Sequence, residues 1–324
     1  MVFSESTRSS WSPIIQKNRS TFVYAARLKL EYYAAVALLR ALGVAPRSCA
    51  LLLTKVIAWL AYVFSRRLRK IAEKNLSMAL PELEGLERRQ IVRGVFLNLG
   101  RLLGEFSQLP KLHRENISQV VVYDGFENFA ASVQRGKGTL FLTAHFGAWE
   151  LCPYAHAIYG YPLKFVIRPI DNPQIDNLVN NYRTLSGNEI VEKKSSLKEI
   201  LRALNNNKSV GILIDQNTTL NTGVFAKFFD IPACTTTSLA TIALRTDATV
   251  VPGVLIWDAK LRKHRLHFEP PVELVQTGNL QADIAENTAL FNQVLERLVR
   301  KYPEQWLWVH RRWKTRPPAE KELY

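Results

Sequence analysis

His145 and Glu150, five residues apart in His145-Phe-Gly-Ala-Trp-Glu150, are a base and a carboxylate with a glycine between them. Such a pair suits proton abstraction. A carboxylate holds one imidazole nitrogen, and the other nitrogen is left free to take a proton from a hydroxyl. The spacing restricts where the two can sit. Residues five apart on an α-helix are rotated by about 140° and do not stack as i and i+4 neighbours do. The pair is therefore expected to meet only if His145 precedes the helix proper, with Gly147 allowing a tight turn. The flanks agree: Thr139 to Thr143 reads as a strand and Leu151 to Tyr159 as a helix. That is a strand-to-helix turn, where α/β enzymes commonly place reactive groups. Taken alone, His-x4-Glu is more often a structural pair than a site, so its neighbours decide.

Two further strand ends carry polar residues. Leu163 to Ile167 runs into Arg168-Pro-Ile-Asp-Asn-Pro173, and Ser209 to Ile214 runs into Asp215-Gln216-Asn217. In open α/β sheets the carboxyl ends of parallel strands face the ligand, so His145, Arg168 and Asp215 are expected to converge on one edge. An arginine there could hold a phosphate or the developing oxyanion of an acyl transfer. An ion pair of Arg168 with Asp171 or Asp215 fits the sequence equally well. Farther on, Gly223 to Pro232 alternates like a hairpin whose aromatics could line an apolar groove, although packing is their commoner role. Pro303 to Arg316 mixes three Trp with four cationic residues after Val309. That mixture suits single-stranded nucleic acid or the headgroup level of a membrane. There is no Gly-x4-Gly-Lys-Ser/Thr loop, no Gly-x-Ser-x-Gly elbow and no His-Glu-x-x-His motif, which removes the commonest phosphate-loop, hydrolase-elbow and zinc chemistries. Six histidines stand at no metal spacing, and no metal site is expected.

The elements that must position these residues follow from periodicity. From Val120 onward strands and helices alternate, which argues for an α/β fold with a central, mostly parallel or mixed sheet flanked by helices. The run Val210-Gly-Ile-Leu-Ile214 has the continuous apolar character of a strand buried on both faces. Leu86 to Leu109 and Ile284 to Arg300 read as amphipathic helices. Upstream, two apolar segments, Tyr24 to Val44 and Ser48 to Phe64, are separated by Gly43-Val-Ala-Pro46 and predict a helical hairpin. Arg40 and Lys55 interrupt them, and Cys49 to Phe64 falls short of the roughly 20 residues of a span. Residues 1–70 carry 12 Lys and Arg against 2 acidic residues, ten of the fifteen net positive charges. An apolar, basic hairpin suits an interface that is greasy inside and anionic outside. The whole-chain charge of +15 and pI near 9.8 point to an anionic partner: nucleic acid, anionic lipid or an acidic carrier protein. Three widely spaced cysteines, Cys49, Cys152 and Cys234, form no CxxC pair and predict no disulfide framework.

Together these residues resemble the lipid A late acyltransferases, the lauroyl and myristoyl transferases of Gram-negative bacteria, within the wider His-x4-Asp/Glu glycerolipid acyltransferase group. The likeness rests on Thr143-Ala-His145-Phe-Gly-Ala-Trp-Glu150, Val166-Ile-Arg-Pro-Ile-Asp-Asn-Pro173, Asp215-Gln216, Gly223-Val-Phe…Phe-Phe229 and Trp308-Val-His-Arg-Arg-Trp-Lys314. It runs from about residue 25 to 316. The resemblance implies a catalytic pair with His145 as base and Glu150 orienting it, and substrate-binding roles for Arg168, Asp215, Gly147, Trp149 and Arg312. It implies an O-acyltransferase that needs no cofactor, with acyl carrier protein or acyl-CoA as donor and an anionic lipid A-type acceptor. A different lipid acceptor (a lysophospholipid, amino lipid or glycolipid) and a non-catalytic module binding anionic lipid are the alternatives. The implied location is the cytoplasmic face of the bacterial inner membrane, monotopic or single-pass, with no nucleic acid partner. The chain then divides into a polar tail over 1–20, a membrane-associating hairpin over 21–70, an acyltransferase α/β domain over 71–316 and a tail over 317–324. Two departures bear on the acceptor and acyl chain: Ala148 stands where many members carry Asn, and Asp230 where they commonly carry Gly.

Overall fold

The structure, a computed structural model, describes residues 12–192 and 196–324. Four helices come first: α1 (Ser12–Val44), α2 (Arg47–Phe64), α3 (Arg66–Ala79) and α4 (Gly85–Gln108). Residues 1–11 of the expected polar tail lie outside the described residues. The α/β part follows as β1 (Val121–Asp124), α5 (Phe126–Gln134), β2 (Thr139–Thr143), α6 (Leu151–Ile158), β3 (Leu163–Ile167), α7 (Pro173–Thr184), β4 (Glu189–Glu192), α8 (Ser196–Asn205) and β5 (Ser209–Leu213). A hairpin, β6 (Gly223–Phe228) and β7 (Ile231–Thr236), precedes α9 (Ser238–Arg245), β8 (Thr249–Asp258), β9 (Lys263–Phe268) and α10 (Leu280–Lys301).

Seven strands form one sheet in the order β1-β9-β8-β2-β5-β3-β4. All neighbours are parallel except β8 and β9, so β1 and β9 run against the other five. The mixed, mostly parallel sheet expected from the alternation is present. β2 lies between β8 and β5, and its side chains alternate between two cores. Leu140 and Leu142 enter the core shared with α8, α9 and α10; Phe141 enters the one shared with α5 and α6. β4 has no clear signal in the sequence pattern. It is four residues long with a glutamate at each end, an edge strand whose Glu189 pairs with Lys164 of β3.

The first two helices are not simply paired with each other. α2 lays its small side chains, Ala50, Thr54 and Ala58, all buried, against Gly100 and Gly104 of α4. A Cβ at Gly100 would come within 2.6 Å of Ala58 Cβ, and one at Gly104 within 2.7 Å of Thr54 Oγ1. Small residues on both sides are what lets the two backbones approach. Arg47 completes the docking with a fork onto the buried Glu105 at 2.9 and 2.5 Å, and His264 of β9 holds the same carboxylate at 2.9 Å. Burial alone would raise the Glu105 carboxyl, but His264 and Arg47 outweigh it and hold it down at about 2.

Candidate active site

β2 and β5 run parallel with Thr143 opposite Leu213, so the second residue beyond each strand, His145 and Asp215, stand side by side. Asp215 is buried at 2% exposure and accepts three hydrogen bonds: His145 Nδ1 at 2.9 Å, the His145 backbone N–H at 3.0 Å and Trp306 Nε1 at 2.8 Å. Burial works against its charge, yet the His145 and Trp306 contacts win and keep the carboxyl below its ordinary range. The carboxylate is therefore ionised at neutral pH and fixes the imidazole with Nδ1–H toward itself. The Nε2 lone pair faces out. Gln216 Nε2 lies 3.2 Å from it and donates to it. His145 precedes α6, as the spacing required. Gly147 makes the turn at φ +57°, and its backbone lies so close to β8 that a Cβ there would sit 1.7 Å from Leu255 O.

The expected His145–Glu150 pair is not formed. Glu150 lies at the N-cap of α6 and takes a two-pronged grip from Arg183 of α7, at 2.8 and 2.6 Å. The reason is topological. β5, beside β2, delivers a carboxylate already aligned with Nδ1, while Arg183 of α7 takes Glu150. Arg183 has its guanidinium pK raised, because Glu150 outweighs the lowering effect of burial.

A cavity of about 590 Å³ opens at this edge. His145, Trp149, Glu150, Arg183, Gln216 and Arg168 line its polar part, while Phe141, Leu163, Phe165, Leu266 and Phe268 line the apolar remainder over the sheet. Two strand glycines, Gly211 and Gly253, also line it, and the Phe268 ring packs on Gly253 so closely that a Cβ there would come within 2.9 Å of it. Arg168 follows β3 and is exposed; among the described residues no carboxylate pairs with it. Its loop is anchored at Asn172, which donates to Leu28 O of α1 at 2.8 Å. Trp149 meets His145 edge-on at 5.3 Å between ring centres. Of the proposed substrate contacts, Arg168 and Trp149 thus face the cavity.

The other three do not. Asp215 is sealed beneath His145, and Gly147 gives its N–H to Gln305 O at 2.8 Å inside the fold. Arg312 is fully buried and donates to Cys234 O, to the Thr235 hydroxyl and to Gln216 O. It buttresses the Asp215–Asn217 loop from behind, and its complete burial keeps the guanidinium out of the cavity. The tryptophan run is likewise core rather than surface. Trp306, Trp308 and Trp313 are each at most 2% exposed, which leaves no stacking platform for nucleic acid. His310 accepts from the Asn217 N–H at 3.1 Å and is held at about pKa 4 by burial against the pull of Asp215. Sequence reasoning missed Arg183, Gln216 as a cavity residue, and Trp306 as the third support of Asp215. Only Gln216 carried a signal, its place directly after a strand-end aspartate.

A histidine oriented by a buried carboxylate, at the carboxyl edge of a mostly parallel sheet and beside a partly apolar cavity, is chemically suited to take a proton from a hydroxyl next to a chain-like substrate. The chain matches the bacterial lipid A biosynthesis acyltransferases over residues 21–315 and belongs to that family. It is an acyltransferase. It is similar to the lipid A biosynthesis lauroyltransferase of Escherichia coli K12, at 30% identity over 82% of this chain and 85% of the relative. It is also similar to the palmitoleoyltransferase of the same organism, at 27% over 83% and 86%, and to the myristoyltransferase, at 24% over 81% of both chains.

Proposed function

We propose that this enzyme transfers a fatty acyl chain from a thioester, on acyl carrier protein or coenzyme A, to a hydroxyl of a lipid A-type acceptor at the cytoplasmic face of the bacterial inner membrane. His145 Nε2 takes the proton of the acceptor hydroxyl as its oxygen attacks the thioester carbonyl, and the carbonyl π pair moves to oxygen. The tetrahedral intermediate collapses by breaking the C–S bond, and the proton passes from His145 to the departing thiolate. The products are an ester and a free thiol. Asp215 stabilises the imidazolium between the two transfers. Exposed Arg168 suits a phosphate of the acceptor or donor. The Glu150–Arg183 fork neutralises its own charges and shapes the polar end of the cavity. The acyl chain takes the apolar end.

The observation that carries the reading is the His145–Asp215 pair placed beside that apolar cavity. Membrane contact is supported by α2, the one helix among the described residues long and apolar enough to cross a bilayer. Its Leu52, Leu53, Trp59 and Phe64 are 48–76% exposed, and Arg66, Arg67 and Lys70 follow at once. That combination suits a helix lying in an anionic interface. The test is acyl transfer from acyl carrier protein to a lipid A precursor in vesicles. His145→Ala, folded and vesicle-bound, should lose at least about 10³-fold in kcat. Transfer by that variant at the wild-type rate would show that the chain does not use His145 as its base.

A further inference from the structure

We propose that Gln216 is a catalytic residue that supplies the oxyanion contact, an inference that rests on the acyl-transfer reading above. The attack of a hydroxyl held by His145 Nε2 puts negative charge on the thioester oxygen, and that charge needs a donor near the base. In many strand-to-helix sites backbone N–H groups serve. Four of those flanking His145 and Gln216 are spent: His145 N–H on Asp215, Phe146 N–H on Ala144 O, Gly147 N–H on Gln305 O and Asn217 N–H on His310. The Arg183 fork is committed to Glu150.

The Gln216 amide is the side-chain donor already within hydrogen-bond distance, 3.2 Å, of the nitrogen that must receive the acceptor's proton. Its backbone is held in place on both sides. Asp215 is buried, the Gln216 carbonyl accepts from Arg312, and Asn217 exchanges hydrogen bonds with Thr315 at 3.0 and 2.9 Å. That leaves the side chain, which lines the cavity. The acceptor hydroxyl needs the position at Nε2 that the amide now occupies. As the hydroxyl enters, the amide yields that lone pair and turns its N–H to the carbonyl oxygen of the thioester. During attack the hydroxyl proton goes to Nε2, the C–O bond forms, the π pair becomes the oxyanion and Gln216 donates to it. On collapse the C=O bond returns, C–S breaks and His145 protonates the thiolate, while the amide returns to Nε2.

The experiment measures acyl transfer by the full chain in vesicles containing the acceptor, with acyl carrier protein thioester as donor. Wild-type transfer and its loss in His145→Ala are established first; without them the parent reading fails, whatever Gln216 does. Gln216→Ala and the near-isosteric Gln216→Met should then lower kcat about 10²–10³-fold. KM for donor and acceptor should stay unchanged, and the acid limb of the kcat/KM profile should stay in place. That limb reports His145 together with the groups facing it, Asp215, His310 and Gln216. Activity within threefold of wild type in either folded variant overturns the proposal. So does a fall accompanied by a displaced acid limb, because Gln216 would then only hold the base. Trp149→Phe removes the other indole donor beside His145; a larger kcat loss there than in the Gln216 variants would give the oxyanion to the indole instead. If the alanine variant fails to fold, the methionine variant decides.

Discussion

At the scale of residues, the site divides two acidic groups between two tasks. Asp215 is buried and serves His145; Glu150 is half-buried and serves Arg183. Reading the chain alone assigned Glu150 to the histidine because it was the nearer carboxylate in sequence. Which carboxylate wins depends on strand order, and one chain's residue spacing carries no information on whether β5 lies beside β2. His145, Arg168 and Asp215 were legible as a group because each ends an apolar strand. Arg183 was not, since it lies on a polar helix where an arginine is ordinary. The Glu150–Arg183 fork is predicted to act as one unit. In a double-mutant cycle on kcat/KM, Glu150→Gln and Arg183→Gln should each lower activity, and the double variant should be little worse than either. The coupling expected is about 1–3 kcal/mol. Strictly additive losses would mean that the two side chains act separately.

At the scale of elements, the turn between β2 and α6 depends on Gly147, and the chain was legible there because a positive φ beside a close backbone needs glycine. The β6–β7 turn shows the reverse case. Phe229 and Asp230 adopt φ of +53° and +57°, so a left-handed turn that glycine adopts without strain is held here by residues that merely tolerate it. α2 was read as one arm of an apolar hairpin. Its partner turned out to be α4, because the Gly100–Gly104 spacing was hidden within an otherwise ordinary amphipathic helix. With its small face consumed by α4, α2 leaves its large apolar face exposed, the face proposed to meet a bilayer. Leu53→Glu with Leu60→Glu, both on exposed positions, should weaken binding of the full chain to vesicles rich in anionic lipid at least tenfold. Sedimentation with vesicles measures this directly, and unchanged pelleting would move the membrane surface elsewhere.

At the scale of the whole molecule, the buried polar groups tie the helical front to the sheet and make stability depend on pH. Burial holds His156 at about 3 and His310 at about 4, both below the ordinary histidine value. Each imidazole therefore stays neutral in the folded chain while the unfolded chain takes up a proton below about pH 6.5. The unfolded state binds more protons in that window, so stability is full above it and falls as the pH drops toward 4. The slope is about 1.4 kcal/mol per pH unit for each group. Denaturation midpoints at constant salt should show the decline between pH 6.5 and 4, and His156→Phe should remove roughly half of it. A flat profile would mean that these imidazoles are hydrated in the folded protein. The fold class and the strands that lead into His145, Arg168 and Asp215 could be read in advance, because apolar runs report burial. The cavity could not, because Phe141, Leu163 and Phe268 come from three strands whose adjacency only the sheet order decides. The most direct test of the site lies in Asp215→Asn, which keeps shape and removes charge. If Asp215 orients and charge-stabilises His145, kcat for acyl transfer should fall about 10⁴-fold, as for the equivalent substitution in serine-protease triads, with the protein still folded and still bound to vesicles. Near wild-type turnover by Asp215→Asn, with Glu150→Gln inactive, would contradict the account and return the orienting role to Glu150.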